Sequence, residues 1–331
     1  MIAEDFRALS LLDWLQNDVL LDINAFEPAS SDASFRRYFR IHTPKTSLIA
    51  MDAPPDKENI LPFLKVAELM ATAGVKVPAI FQHNADEGFV LLEDFGKHSY
   101  LDTLNTDNAN PLYHSAFDEL FTLQSQLDTT TSGLPRYDHA LLTRELGIFE
   151  EWFARQWLDI ELPTELWQTT QNWLIDAALA QPVCCVHRDY HSRNLMALAT
   201  HTPGIIDFQD AVIGPITYDL VSLLRDCYIA WPEAQVAEWR SAYHQRLVNA
   251  GLIETDANTF NRWFDLMGMQ RHLKAIGIFT RLHLRDGKSG YLADIPRTLA
   301  YVSAVSKSYP ELADFNNFLE NDLLPAYRAA S

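Results

Sequence analysis

Apolar positions along the chain keep two different periods. In roughly residues 4–20 they fall three to four apart, with Phe6, Leu9, Leu12, Leu15 and Leu20 on one face, which predicts an amphipathic helix. From residue 34 the pattern shortens. Residues 34–42 and 47–51 are dense in aromatic and aliphatic side chains and are separated by a Thr-Pro-Lys-Thr turn, so both are predicted strands. A helical pattern over 56–73 follows, with Asp56 as its N-cap and Gly74 just past its end. Two more strands are expected at 79–83 and 88–93.

Beyond Glu93-Asp94-Phe95-Gly96 the pattern changes to long helical stretches rich in Leu, Trp and Phe, clearest at 112–127, 138–157 and 164–180. A short strand cluster at 184–210 interrupts them, and helices resume at 218–229, 233–250, 257–285 and 293–307. This ordering predicts an α+β, bilobal architecture: a small β-rich N-terminal lobe (1–95) joined near residue 95 to a larger, mainly helical C-terminal lobe (96–331). A chain of 331 residues is long enough for two such lobes.

Charge narrows the functional classes. A formal net charge of −18 lacks the basic footprint that phosphate backbones demand, so no nucleic-acid partner is expected. No apolar run is long enough to span a bilayer, so no membrane partner is expected, and the acidic N-terminal stretch does not read as a signal peptide, which makes the cytoplasm the expected compartment. Cys184, Cys185 and Cys227 form no C-x-x-C pair and read as buried free thiols.

The chemistry concentrates in "CCVHRDYHSRNLMALATHTPGIIDFQD", residues 184–210. Asp189 lies just beyond an apolar strand, in a loop where a carboxylate is easily presented. Asn194 begins one short strand and Asp207 ends another, so a hairpin would set the two side by side. Two oxygen donors placed that way suit Mg²⁺, which accepts carboxylate and amide oxygens together with phosphate. Asp189 would then accept the proton of a hydroxyl nucleophile, the division of labour that phosphoryl transfer requires.

His187-Arg188-Asp189 through Asn194 has the H-R-D-x-x-x-x-N form of a protein-kinase-like catalytic loop, and Asp207-Phe208 resembles its metal-binding Asp-Phe. Gln209 replaces the glycine of Asp-Phe-Gly and no activation segment follows. Instead the chain runs into Gly214-Pro215-Ile216-Thr217-Tyr218-Asp219-Leu220, which resembles aminoglycoside phosphotransferases, choline kinases and related small-molecule kinases. The resemblance implies a protein-kinase-like fold, ATP and Mg²⁺ as cofactors, Asp189 as the catalytic base, Asn194 and Asp207 as metal ligands, and His187 and Asp219 as structural support for the loop.

It also implies that residues 30–34, with Ser31 and Ser34, occupy the place of the phosphate-covering loop, and that Glu93, Asp94 and Phe95 form the hinge that receives adenine. Met51 stands where this family usually carries a strand Lys, with Glu68 as the helix residue that would pair with it. Arg36, Arg37 and Arg40 are the candidates to neutralise phosphate instead, and strand alternation sends Arg36 and Arg40 to one face.

The helix after residue 257 carries Arg271, Lys274, Arg281 and Arg285 at helical spacing, a basic island in an acidic chain, whose bland reading is a solvated charged face. An island of that sign points to a substrate with a carboxylate or phosphate, or to the nucleotide itself, rather than to a cationic substrate. Together with "SDASFRRYFR" and "MDAPPDKEN", these motifs are similar to bacterial anomeric sugar kinases acting on N-acetylmuramate and N-acetylglucosamine in cell-wall recycling. That similarity makes an amino sugar the expected partner and Tyr190, His191, Arg193, Arg225, Asp226, Arg271, Lys274 and Arg281 its candidate contacts. The alternatives are an aminoglycoside or choline-like phosphotransferase and, from another class, a nucleotide-binding pseudokinase.

Overall fold

The structure is a computed structural model that describes residues 5–31, 35–200 and 202–330. In chain order its elements open with α1 (Phe6–Asp13), β1 (Ala25–Ser31), β2 (Arg37–His42), β3 (Ser47–Asp52), α2 (Leu61–Thr72), β4 (Ile80–Asn84) and β5 (Phe89–Glu93). The short α3 (Tyr100–Thr103), α4 (Ala109–Gln126), α5 (His139–Ile148) and α6 (Thr164–Leu179) follow. Then come β6 (Val183–Val186), β7 (Leu195–Ala197), β8 (Pro203–Ile205) and β9 (Val212–Pro215). The chain finishes with α7 (Tyr218–Leu224), α8 (Glu233–Asn249), α9 (Ala257–Leu284), α10 (Ile295–Ser308), α11 (Ala313–Phe318) and α12 (Leu324–Ala330).

Two compact units result. One comprises residues 1–126 and 194–210, the other 127–193 and 211–331. The first therefore includes α3, α4 and the β7–β8 hairpin, which lie past the boundary expected at residue 95.

The first unit is built on an antiparallel five-stranded sheet in the order β1-β2-β3-β5-β4. Alternation gives β2 and β3 one face bearing Phe39, Ile41 and Ala50, packed with Ala8, Leu11 and Leu15 of the N-terminal helix and its π-helical continuation (Trp14–Asp18). The opposite face carries Tyr38, Arg40, Ile49 and Met51, with Tyr38 paired to Met51 and Arg40 to Ile49. At the end of the sheet Asp52, fully buried, is held by Arg7 and by Arg37 at 2.5 Å.

The second unit is organised around α9, whose 28 residues are flanked by α5, α6, α7 and α10. So many neighbours leave α9 buried nearly all round, which is why its hydrophobic periodicity is weak in the sequence. At Gly277 a side chain would meet the Ile148 carbonyl at 2.6 Å, so glycine there permits a close helix crossing.

Three expectations need correction. The α2 helix starts at Leu61 rather than at Asp56, because Asn59 accepts the Leu61 N–H and Pro62 sits in the first turn. The 138–157 helix changes to π-helical pairing over Phe149–Trp157. Phe6, Leu9 and Leu20 of the first helical stretch are exposed rather than turned to the core, which Ala8, Leu11, Trp14 and Leu15 fill instead. As expected, Gly74 ends α2 with φ 87°, and the three cysteines are buried free thiols. Among the described residues, no helix is long and apolar enough to cross a membrane.

Candidate active site

In the first unit, antiparallel β7 and β8 bring Asn194 and Asp207 together as their spacing predicts. Leu195 pairs with Ile205, and the Ile206 N–H donates to the Asn194 carbonyl at 3.1 Å, closing the hairpin at the end that carries both side chains. Asn194 Nδ2 lies 3.4 Å from Asp207 Oδ2, and Gln209 Nε2 donates to Asp207 Oδ1 at 2.8 Å. Asp207 holds φ 64°, a left-handed conformation that costs a non-glycine residue roughly 1 kcal/mol. The following Phe208 packs on Phe63 of α2, with ring centroids 5.0 Å apart, and anchors the turn. The donor set fits Mg²⁺: a hard carboxylate oxygen and an amide whose oxygen is presented by turning the amide over, with the remaining positions left to phosphate and water.

In the second unit, β6 pairs with β9 and delivers a tightly braced loop. Asp219, in the first turn of α7 and fully buried, accepts the backbone N–H of His187 at 2.7 Å and of Arg188 at 3.0 Å. His187 Nδ1 accepts the Asp189 N–H at 3.2 Å, and Tyr190 packs edge-on against the His187 ring. Arg188 takes φ 78°, and its guanidinium is held by Glu145. Farther along, Asp226 accepts both the N–H and the hydroxyl of Ser192, at 2.9 and 2.6 Å.

Asp189 alone among these carboxylates faces outward, with its side chain 41% exposed. The protein packed around it works to raise its pKa, but Lys274, His191, Arg271 and His187 outweigh that and hold the carboxyl below the ordinary aspartate value. Asp219 goes the other way: burial, opposed by its two N–H donors and reinforced by the nearby Asp189 charge, raises it to about 7. The loop aspartate and the α7 aspartate that braces it are thus poised for different work, one as an open ionised acceptor and one as an internal brace.

The other candidate contacts divide sharply. Arg225 is committed to Asp265 at 2.8 Å and Glu233 at 3.2 Å and lies over the Phe264 ring, a structural arrangement. Lys274 binds Glu145 at 3.0 Å and the Tyr218 hydroxyl at 3.1 Å. Arg271 is buried with its Nη1 3.6 Å from the Cys227 sulfur. Arg281 is partly buried beside Arg285, whose charge adds to burial in lowering its pKa. Arg193 remains exposed on the surface of the loop, above Tyr228. Sequence reasoning missed Glu145, which gathers Arg188, Lys274 and the Tyr137 hydroxyl at one buried carboxylate. Little near it in the chain marks it, because only Tyr137 is local, at eight residues, while Arg188 lies 43 and Lys274 more than 100 residues away.

Among the residues expected to meet nucleotide, Arg36 and Met51 line a cavity of about 380 Å³ in the first unit, together with Glu58, Asn59, Phe63 and Asp210. Arg40 makes a two-pronged ion pair with Asp94 (2.7 and 3.0 Å) and donates to the Gly96 carbonyl at 2.8 Å. Arg37 turns to Asp5 and Asp52. Glu93 binds Lys76 at 2.9 Å, and Phe95 lies under that same ammonium and against Gly204. Ser31 ends β1 opposite Arg37, while Ser34 lies outside the described residues. Glu68 is exposed on α2 and, with Met51 on β3, no strand–helix Lys–Glu pair forms at this position.

A two-unit α+β fold, with a five-stranded sheet in one unit and an aspartate loop braced from α7 in the other, is that of a small-molecule phosphotransferase. Residues 25–253 match the phosphotransferase enzyme family, and the chain belongs to it. Two relatives are similar over nearly their whole length. The N-acetylmuramate/N-acetylglucosamine kinase of Pseudomonas putida is 44% identical, over 96% of this chain and 97% of its own. That of Neisseria meningitidis is 42% identical, over 93% of each. Among solved structures, AMP-bound spectinomycin phosphotransferase superposes with a TM-score of 0.67 at 11% identity, covering 90% of this chain and 97% of its own. A choline/ethanolamine kinase family protein from Mesorhizobium loti gives 0.63 at 16%, covering 96% and 99%. These structural likenesses carry the fold.

Proposed function

We propose that this chain is an ATP-dependent kinase that phosphorylates the anomeric 1-hydroxyl of N-acetylmuramate and N-acetylglucosamine, in the recycling of peptidoglycan. The observation that carries the reading is Asp189, an outward-facing carboxylate kept ionised on a loop fixed by Asp219. The curated names of the 42–46% identical relatives supply the substrate class.

In this mechanism Asp189 accepts a hydrogen bond from the sugar 1-hydroxyl and orients its oxygen toward the γ-phosphorus of ATP. The O–P bond forms as the bond to the β–γ bridging oxygen breaks; ADP leaves, and the hydroxyl proton passes to Asp189. A loose phosphoryl-transfer transition state asks little of a base early on, so a low-pKa aspartate that is always ionised suits the role. Asn194 and Asp207 would hold Mg²⁺, which when bound would supply positive charge against the phosphate oxygens. Arg36, which lines the cavity beside Met51, is the arginine placed to serve the phosphates where the family usually uses a strand Lys. ATP chemistry of this kind belongs in the cytoplasm.

The test is Mg²⁺-ATP with a panel of N-acetylmuramate, N-acetylglucosamine, aminoglycosides and choline. Loss of the sugar's reducing end with release of ADP supports the reading. Transfer only to an aminoglycoside or choline, or to no acceptor, rejects it.

A further inference from the structure

Most cations in the second unit already have an anionic or carbonyl partner. Arg188 and Lys274 share Glu145, Arg225 holds Asp265, and Arg297 donates to the Cys227 carbonyl at 2.5 Å. Arg193 differs. Its guanidinium carbon lies over the Tyr228 ring at 3.8 Å and over the Tyr291 ring at 5.3 Å, with its side chain 39% exposed. Its nearest carboxylate, Asp294, stands at 3.9 Å, beyond hydrogen-bond reach, and is itself approached by Arg297 at 3.4 Å. The aromatic contacts seat the guanidinium while leaving its N–H fork without a hydrogen-bonded carboxylate.

The surroundings suit a sugar. Tyr228 and Tyr291 both pack on Phe279, at 6.1 and 5.6 Å between centroids, and Tyr228 meets the ring of His191 at 5.1 Å. His191 Nε2 in turn lies 4.0 Å from Asp189 Oδ1. A short chain of contacts therefore links the aspartate to an aromatic platform carrying a planar cation.

We propose that Arg193, held by Tyr228 and Tyr291, is the specificity-determining residue that binds the lactyl carboxylate of N-acetylmuramate. The inference rests on the amino-sugar kinase reading above and says which residue separates the two sugars. A planar fork pairs with a carboxylate through two parallel hydrogen bonds. Because Arg193 is partly exposed, water satisfies it when the lactyl group is missing, so N-acetylglucosamine is disfavoured without being excluded. Arg271 is less suited, being 5% exposed with a guanidinium nitrogen at Cys227. Arg281 sits two turns beyond Lys274, where its electrostatic neighbours are Arg285 and Asp286 rather than the Asp189 loop.

The experiment measures kcat/KM for N-acetylmuramate, its lactyl methyl ester and N-acetylglucosamine, in wild type, Arg193→Gln and Arg193→Lys. The wild type is expected to prefer the free acid over the ester by about tenfold or more, and Arg193→Gln to bring that ratio within about twofold of one. Arg193→Lys, which keeps the charge but loses the fork, falls between them and carries the comparison should the Gln variant not fold. A wild-type acid-to-ester ratio near one, or the same ratio in every variant, overturns the role of Arg193 while leaving the kinase reading intact. Wild-type protein that phosphorylates neither amino sugar overturns both.

Discussion

Asp189 lies on the loop whose His187 and Arg188 N–H groups Asp219 accepts, and their environments send their proton affinities in opposite directions. Asp189→Asn removes the proton acceptor without changing the volume of the side chain. It is expected to lower kcat by several orders of magnitude while nucleotide affinity, measured by calorimetry, shifts by less than about threefold. Asp219→Ala leaves the His187 and Arg188 N–H groups buried without acceptors, at about 1–3 kcal/mol each, and is expected to lower the thermal midpoint together with turnover. The Asp219 carboxyl also gives stability a pH slope. Its folded value of about 7 exceeds the ordinary 3.8, so its favourable contribution is complete below 3.8 and is lost as pH rises through 7. Denaturation of wild type and Asp219→Asn across that window should show the variant gaining on wild type as pH rises. A constant difference would refute the assigned environment.

At the scale of elements, hairpins and helix crossings set the chemistry. The β7–β8 ladder places Asn194 beside Asp207, and that pairing was legible from spacing alone, because two short strands joined by a turn can scarcely pair otherwise. The role of α9 was less legible. Its cations repeat at helical intervals, yet only the packing of α5, α7 and α10 around it shows that Arg271 and Lys274 point inward. Gly277→Ala tests that packing. The substitution gains about 1 kcal/mol of helix propensity, but its Cβ would meet the Ile148 backbone at 2.6 Å. Backbone cannot move aside as a side chain does, so a net loss of about 1–3 kcal/mol is expected in chemical denaturation. Just before β2, Arg36→Ala should raise the KM for ATP about tenfold, with a smaller change for the sugar, if Arg36 serves the phosphates from the cavity it shares with Met51.

For the molecule as a whole, binding of Mg²⁺-nucleotide to the folded state alone adds about 2.7 kcal/mol at a hundredfold excess over Kd. A thermal midpoint several degrees higher is therefore expected with Mg²⁺-ADP. Chelation of the metal or Asp207→Asn should reduce that rise, which differential scanning calorimetry would record.

By itself the sequence determined the α+β class, the β-rich start and the placing of Asn194 beside Asp207, because these depend on short-range spacing and on strands too short to pair in many ways. It also revealed the missing Lys, since Met51 occupies a defined strand position. Tertiary structure alone decided which arginines are spent. Arg40 meets Asp94 across 54 residues, Arg188 meets Glu145 across 43, and Arg225 meets Asp265 across 40. Whether a cation is neutralised depends on what folding brings within a few ångströms of it, and no local pattern encodes that. The same distant contacts gather Tyr228 and Tyr291, both backed by Phe279, against Arg193, so a residue that the sequence offered as one candidate among eight becomes an exposed cation seated on aromatic rings with its hydrogen-bonding fork still open.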